Sequence, residues 1–147
     1  MKNIDIFNLA NAGVLAISAN DLDSAHAYKV MKFKRAIRKA FESLSDAEKD
    51  LLKEVGIEDG AAFDKELARL RKNNSEPEKR KEMEQKLSRY LSLREALFEE
   101  EVTLDCKTIP FEQFHILQKE NKDINGKPLN IFDDILEGVL WAEPESE

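Results

Sequence analysis

At 147 residues the chain has the length of one ordinary domain, enough to bury a sizeable core. Charged residues make up 36% and hydrophobic residues 41%, with only 5 Gly and 4 Pro, a balance that fits long, partly exposed helices and excludes a turn-rich β-sandwich. The net charge of -7 disfavours a general nucleic-acid binder, because neutralising phosphates takes clustered Lys and Arg, and the lone Cys106 excludes an intramolecular disulfide and fits a reducing compartment.

The first twenty residues hold an apolar run that a targeting segment would also show. Asp5 and Asn8 interrupt it, and the only preceding cation is Lys2, so it reads as part of the fold. No run approaches the roughly 20 apolar residues needed to span a bilayer, and no membrane partner is expected. Ile6, Leu9, Ala10, Val14 and Ile17 have helical spacing and predict a helix over 4–18, with Gly13 tolerated inside it. Ile4 and Ile6 alternate with polar neighbours, so residues 2–6 are also a candidate strand. Ile6, Leu9, Val14, Leu15 and Ile17 cover more than one face of such a helix. Either a second copy covers the surplus, with Leu15 as a contact and a homodimer as the result, or the helix is central to a complete monomer.

Asp23 or Ser24 caps the next helix. Val30, Phe33, Ile37, Ala40 and Leu44 form a 3-4-3-4 stripe that must bury against a partner. Ser45 to Glu48 match a capping box, but Leu44, Ala47, Leu51 and Val55 keep the stripe, which favours one helix running on to a stop at Gly56. A short helix follows over 61–72, then a polar connection. Pro77 precedes a second long helix over 78–99, with Met83, Leu87, Tyr90, Leu91, Leu97 and Phe98 on one side. Arg94 falls in the middle of that face. Its head either meets a buried carboxylate or reaches water over a buried stem. The two long helices are expected to run antiparallel and to bury their stripes against each other.

At Glu99 to Glu101 the period changes. Three carboxylates oppose the macrodipole at the helix end, and Val102, Leu104 and Cys106 then alternate with Thr103, Asp105 and Lys107. Period two predicts a half-buried strand, which needs a partner from residues 2–6 or 128–131. Pro110 starts a short helix through Phe111, Phe114 and Leu117. Asn125-Gly126 signals a turn, a last helix uses Ile131, Ile135, Leu136, Val139 and Leu140, and the acidic tail 143–147 frays. The fold class is therefore mostly α with a minor β element: an antiparallel long-helix pair, short helices and a small two-stranded β element in a single domain, 1–147.

Catalytic signals are absent from the sequence. His26 and His115 lie far apart, outside any zinc spacing. Cys106 sits in the inward phase of the predicted strand, where free Cys acts as a small core hydrophobe. Residues 121–132 match the first half of a calcium loop but place Phe132 where a bidentate Glu is required. No nucleotide or nucleophile-elbow motif occurs. The expectation is no enzyme, no cofactor, no metal and no small-molecule substrate. The one local electrostatic feature is a basic arc within residues 29–39, Lys32, Lys34, Arg35, Arg38 and Lys39. It fans across the side opposite the Val30/Ile37 stripe and reads either as a solvated face or as a site for an acidic or phosphate-bearing partner.

In its order of features the chain resembles a group of small uncharacterised bacteriophage and prophage proteins. In that group a basic amphipathic helix passes into Leu-Leu-Lys-Glu-x-Gly and a Gly-Asp-rich loop. A Glu/Lys-rich helix then runs into a Glu-Glu-x-Val-x-Ile/Leu-Asp strand. Positions 51–56 match the first motif and 100–105 hold the end of the second, and the similarity spans roughly residues 28–117. The resemblance implies a small helical protein of a phage-like gene set, cytoplasmic or virion-associated, with an accessory or assembly role and no catalytic residues. Together these readings predict a non-enzymatic protein–protein interaction protein, with a regulator acting on nucleic acid or an acidic ligand through the basic arc as the alternative.

Overall fold

The computed structural model describes residues 1–124, 129 and 133–143. It is mostly α with a minor β element. The elements run α1 (Asn3–Asn11), a 3-10 turn (Val14–Ala16), α2 (Ser24–Glu54), α3 (Gly60–Lys72), α4 (Pro77–Glu99), β1 (Ile109–Pro110), α5 (Phe111–Glu120), α6 (Asp133–Leu136) and β2 (Trp141–Ala142). The chain divides into two compact units, one built from Met1–Ser43 with Glu101–Glu147 and the other from Leu44–Glu100.

In the first unit the predicted helix over 4–18 is cut short. Gly13 adopts φ +93°, a left-handed conformation that breaks the helix rather than continuing it. Residues 2–6 are not a strand: Lys2 makes only an isolated antiparallel bridge to Glu101, and its backbone N–H donates to Asp5 Oδ2 at 2.9 Å and starts α1. Ile6, Leu9, Val14 and Ile17 are nonetheless buried, together with Val30, Phe33 and Ile37 of α2, Phe114 and Leu117 of α5, and Leu136, Leu140 and Trp141. The α2 stripe therefore buries its first half among elements from both ends of the chain. The expectation that all of it faces α4 is corrected accordingly.

The β element is two residues long on each side and parallel, pairing Ile109 with Trp141 and Pro110 with Ala142. It does not use the predicted strand. Residues 102–107 keep the expected alternation, with Val102, Leu104 and Cys106 half-buried and Thr103, Asp105 and Lys107 exposed. Their hydrogen bonds explain why no ladder forms. Val102 N–H donates to Met1 O, but Cys106 N–H folds back on Leu104 O at 3.1 Å, a three-residue turn that bends the segment out of strand geometry. The last helix is also shorter than predicted, since Gly138 at φ +79° turns the chain and sends Trp141 into the core, where it stacks on Phe114 at 5.5 Å between centroids. The Asn125-Gly126 turn, the strand candidate at 128–131 and the tail beyond Glu143 lie outside the described residues.

Asn121, at the end of α5, ties this unit together. Its Nδ2 donates to Ser18 O and Leu117 O, both at 2.8 Å, and its Oδ1 accepts from Ser18 N–H at 2.9 Å. The adjacent Glu120 carboxylate accepts from the backbone N–H groups of Asn20 and Asp21 at 2.9 and 2.7 Å.

The second unit holds the end of α2, α3 and α4, with Leu44, Ile57, Leu67, Leu70 and Phe98 buried. α2 runs through the Ser45–Glu48 box without a break and stops at Gly56, whose φ is +84°. Ile57 N–H returns to Leu52 O at 2.8 Å and Ile57 is buried, the hydrogen bond and apolar contact of a Schellman motif. Glu48 meets Arg94 at 3.4 Å, and Lys86 lies beside Gly56, so the end of α2 runs antiparallel to α4. Of the two readings of Arg94, the structure gives it a carboxylate, though a part-buried one, and its guanidinium also lies 4.1 Å from the Phe98 ring centroid. Leu91, predicted on the buried side, is 52% exposed.

Candidate functional site

The basic arc lies on the first half of α2. Asp23 caps this helix, accepting from His26 N–H at 3.0 Å. Its carboxyl is held below the usual range by that hydrogen bond and by the His26 ring. From Ser24 to Phe41 there are six cations and no carboxylate. Lys32, Arg35, Arg38 and Lys39 are exposed, as predicted for the side away from Val30, Phe33 and Ile37. Lys34 departs from the arc: it is half-buried and its Nζ donates to Ile17 O at 2.8 Å, holding the segment after the 3-10 turn. Leu15 is half-buried and packs against the core of the first unit.

Sequence reasoning passed over two members of the same face. Tyr28 is 52% exposed and Met31 is 45% exposed. Their signal was available, since 28, 32, 35 and 39 recur at helical spacing and 31 and 38 flank them. Lys32 Nζ sits 5.2 Å from the Tyr28 ring centroid, a cation–π contact of about 0.5–1 kcal/mol at an exposed site.

Part of the second unit's positive charge is paired. Arg69 pairs with Glu66 and Glu76, Lys79 with Glu66, and Arg71 with Glu84. Glu66 is held down to about 2 by its hydrogen bonds to Arg69 and Lys79. Among the described residues, Lys32, Arg35, Arg38 and Lys39 make no ion pair. The arc is therefore a patch of unpaired positive charge on a chain of net charge -7.

A groove of about 230 Å³, lined by Met1, Val102, Thr103, Leu104, Cys106, Gly138 and Val139, is smaller than ordinary ligand pockets. Burial, with the Asp105 charge, pushes the Cys106 thiol up, and its Sγ donates to Val139 O at 3.6 Å. A raised pKa and an acidic neighbour are the reverse of what activates a cysteine. Among the described residues no group of three or more His, Cys, Asp or Glu side chains is placed to hold a metal ion, and no helix is long and apolar enough to cross a membrane. Comparisons with protein-family models, with curated proteins and with solved structures found no match.

Proposed function

We propose that this is a non-enzymatic interaction protein that attaches to an acidic partner through the outward face of α2 between Tyr28 and Lys39. One observation carries the reading: Lys32, Arg35, Arg38 and Lys39 are exposed and make no ion pair among the described residues, on a stretch of α2 with no carboxylate from Ser24 to Phe41. Clustered like charge raises the local potential and speeds association with an oppositely charged surface. The resemblance to phage and prophage proteins adds an accessory or assembly role, in the cytoplasm or on a virion, which the identity of the neighbouring genes would test.

The direct test is retention of binding partners on the immobilised protein and on its Arg35→Glu/Lys39→Glu variant. A species held by the unmodified protein at low salt and released by the variant supports the reading. Equal retention by both would sink it. A second reading, a regulator that takes nucleic acid or an acidic ligand on residues 29–39, draws support from the exposed Tyr28 ring beside Lys32. A salt-sensitive mobility shift of labelled DNA would favour it.

A further inference from the structure

We infer that the partner's contact element is an acidic amphipathic helix lying along α2, an inference that rests on the interaction reading above. The shape of the patch carries the argument. Tyr28, Lys32, Arg35 and Lys39 follow one another at intervals of four, three and four on an unbroken helix. They form a straight stripe about 16 Å long at 1.5 Å per residue. Tyr28/Arg35, Met31/Arg38 and Lys32/Lys39 each repeat after seven positions, the interval at which a second helix presents side chains along a shared seam. The stripe has a polarity. Its first turn carries the exposed apolar groups Tyr28 and Met31, and its last two turns carry Arg35, Arg38 and Lys39. A complementary helix has one large apolar residue at one end and carboxylates one heptad apart towards the other.

The rival occupants fit less well. A second copy docked on the same face would set cation against cation, which is destabilising. A nucleic acid extends beyond the patch over a chain of net charge -7, which disfavours further phosphate contacts. A polypeptide helix can centre on the stripe and uses its apolar end as well as its charge.

The test is fluorescence anisotropy with two labelled probes at the same low salt. One is a synthetic amphipathic peptide of about 20 residues with Leu at one end and Glu at heptad spacing. The other is a single-stranded oligonucleotide of similar length. The expected result is peptide binding that gains helical circular dichroism. It should weaken about tenfold in Arg35→Glu/Lys39→Glu and also in Tyr28→Ala/Met31→Ala, with only the former losing salt dependence. All four substitutions are at exposed positions, and unchanged melting of the variants verifies their folding. Tighter binding of the oligonucleotide, or peptide binding without gained helicity, overturns the helix as partner while leaving the face as the contact surface. No binding of either probe, or variants indistinguishable from the unmodified protein, overturns both.

Discussion

Replacing Asn121 with Ala tests whether the long-range clamp at the end of α5 holds the first unit together. The side chain is buried and makes three hydrogen bonds, two with Ser18 and one with Leu117 O. Leu117 O is not orphaned by the change, because it also accepts the Asn121 backbone N–H at 3.0 Å. Ser18 loses partners for both its N–H and its C=O. An unmade bond at a buried group costs about 1–3 kcal/mol. The Ser18 side of the clamp is only part-buried, so water recovers some of that loss and the total should come to about 2–4 kcal/mol. Urea unfolding followed by circular dichroism reads this as a lower midpoint at unchanged slope. Asn121→Asp adds a check on the mechanism. Its carboxylate still accepts from Ser18 N–H but faces two carbonyl oxygens, which raises its folded-state pKa above the unfolded value. Its penalty relative to the unmodified protein should therefore be largest at neutral pH and shrink as pH falls through that raised pKa, where protonation restores a donor. A loss below about 0.5 kcal/mol for Asn121→Ala would show that the clamp contributes less than a typical hydrogen bond and would refute the reasoning.

Further substitutions separate the two units. Phe33, fully buried, should cost about 3–5 kcal/mol as Phe33→Ala, whereas Leu87, only half-buried, should cost clearly less as Leu87→Ala in the same denaturation assay. Gly56→Ala should cost about 1 kcal/mol through its φ of +84° and not through a clash, since the nearest atom to an added Cβ is the flexible end of Lys86. A carbon-13 titration should place the Glu66 carboxyl near 2, below its ordinary 4.5. The stabilisation linked to that group is present above 4.5 and is lost as pH falls towards 2, and a midpoint above 4 would remove the pairing of Glu66 with Arg69 and Lys79. Calcium or zinc should leave the melting temperature unchanged, and a saturable rise would revive the loop at 121–132.

Local signals were readable and long-range ones were not. The unbroken apolar spacing of α2 outweighed the Ser45–Glu48 box, because a stripe buried on both sides of a capping pattern keeps the helix going. Pro77 and Gly56 marked the ends of helices by backbone chemistry alone. The alternation at 102–106 foretold which side chains turn inward, yet pairing with the N-terminus goes no further than the Lys2–Glu101 bridge, because Cys106 N–H is spent on Leu104 O. Gly13 looked tolerable in a helix, yet it takes the left-handed region and ends α1. In the arc, the periodicity of α2 located Lys32, Arg35, Arg38 and Lys39. Only the proximity of Ile17 O, 17 residues earlier, takes Lys34 out of it. The Glu48 partner of Arg94 lies 46 residues away, beyond the reach of any local pattern.

The first unit is discontinuous in sequence, and this has a consequence for synthesis. Ser18 meets Asn121 across 103 residues, and Ile109 N–H bonds Leu140 O, so its core cannot close until the C-terminal part has left the ribosome. At roughly 5–20 residues per second that is a wait of about 5–20 s. During it Ile6, Leu9, Val14 and Ile17, all destined for burial, have no C-terminal partners. Residues 44–100, by contrast, are contiguous and can pack as they emerge, which shortens the loop that the first unit must later close. A nascent chain stalled before Asn121 should therefore display its apolar N-terminus to chaperones, and one released after Ala142 should not.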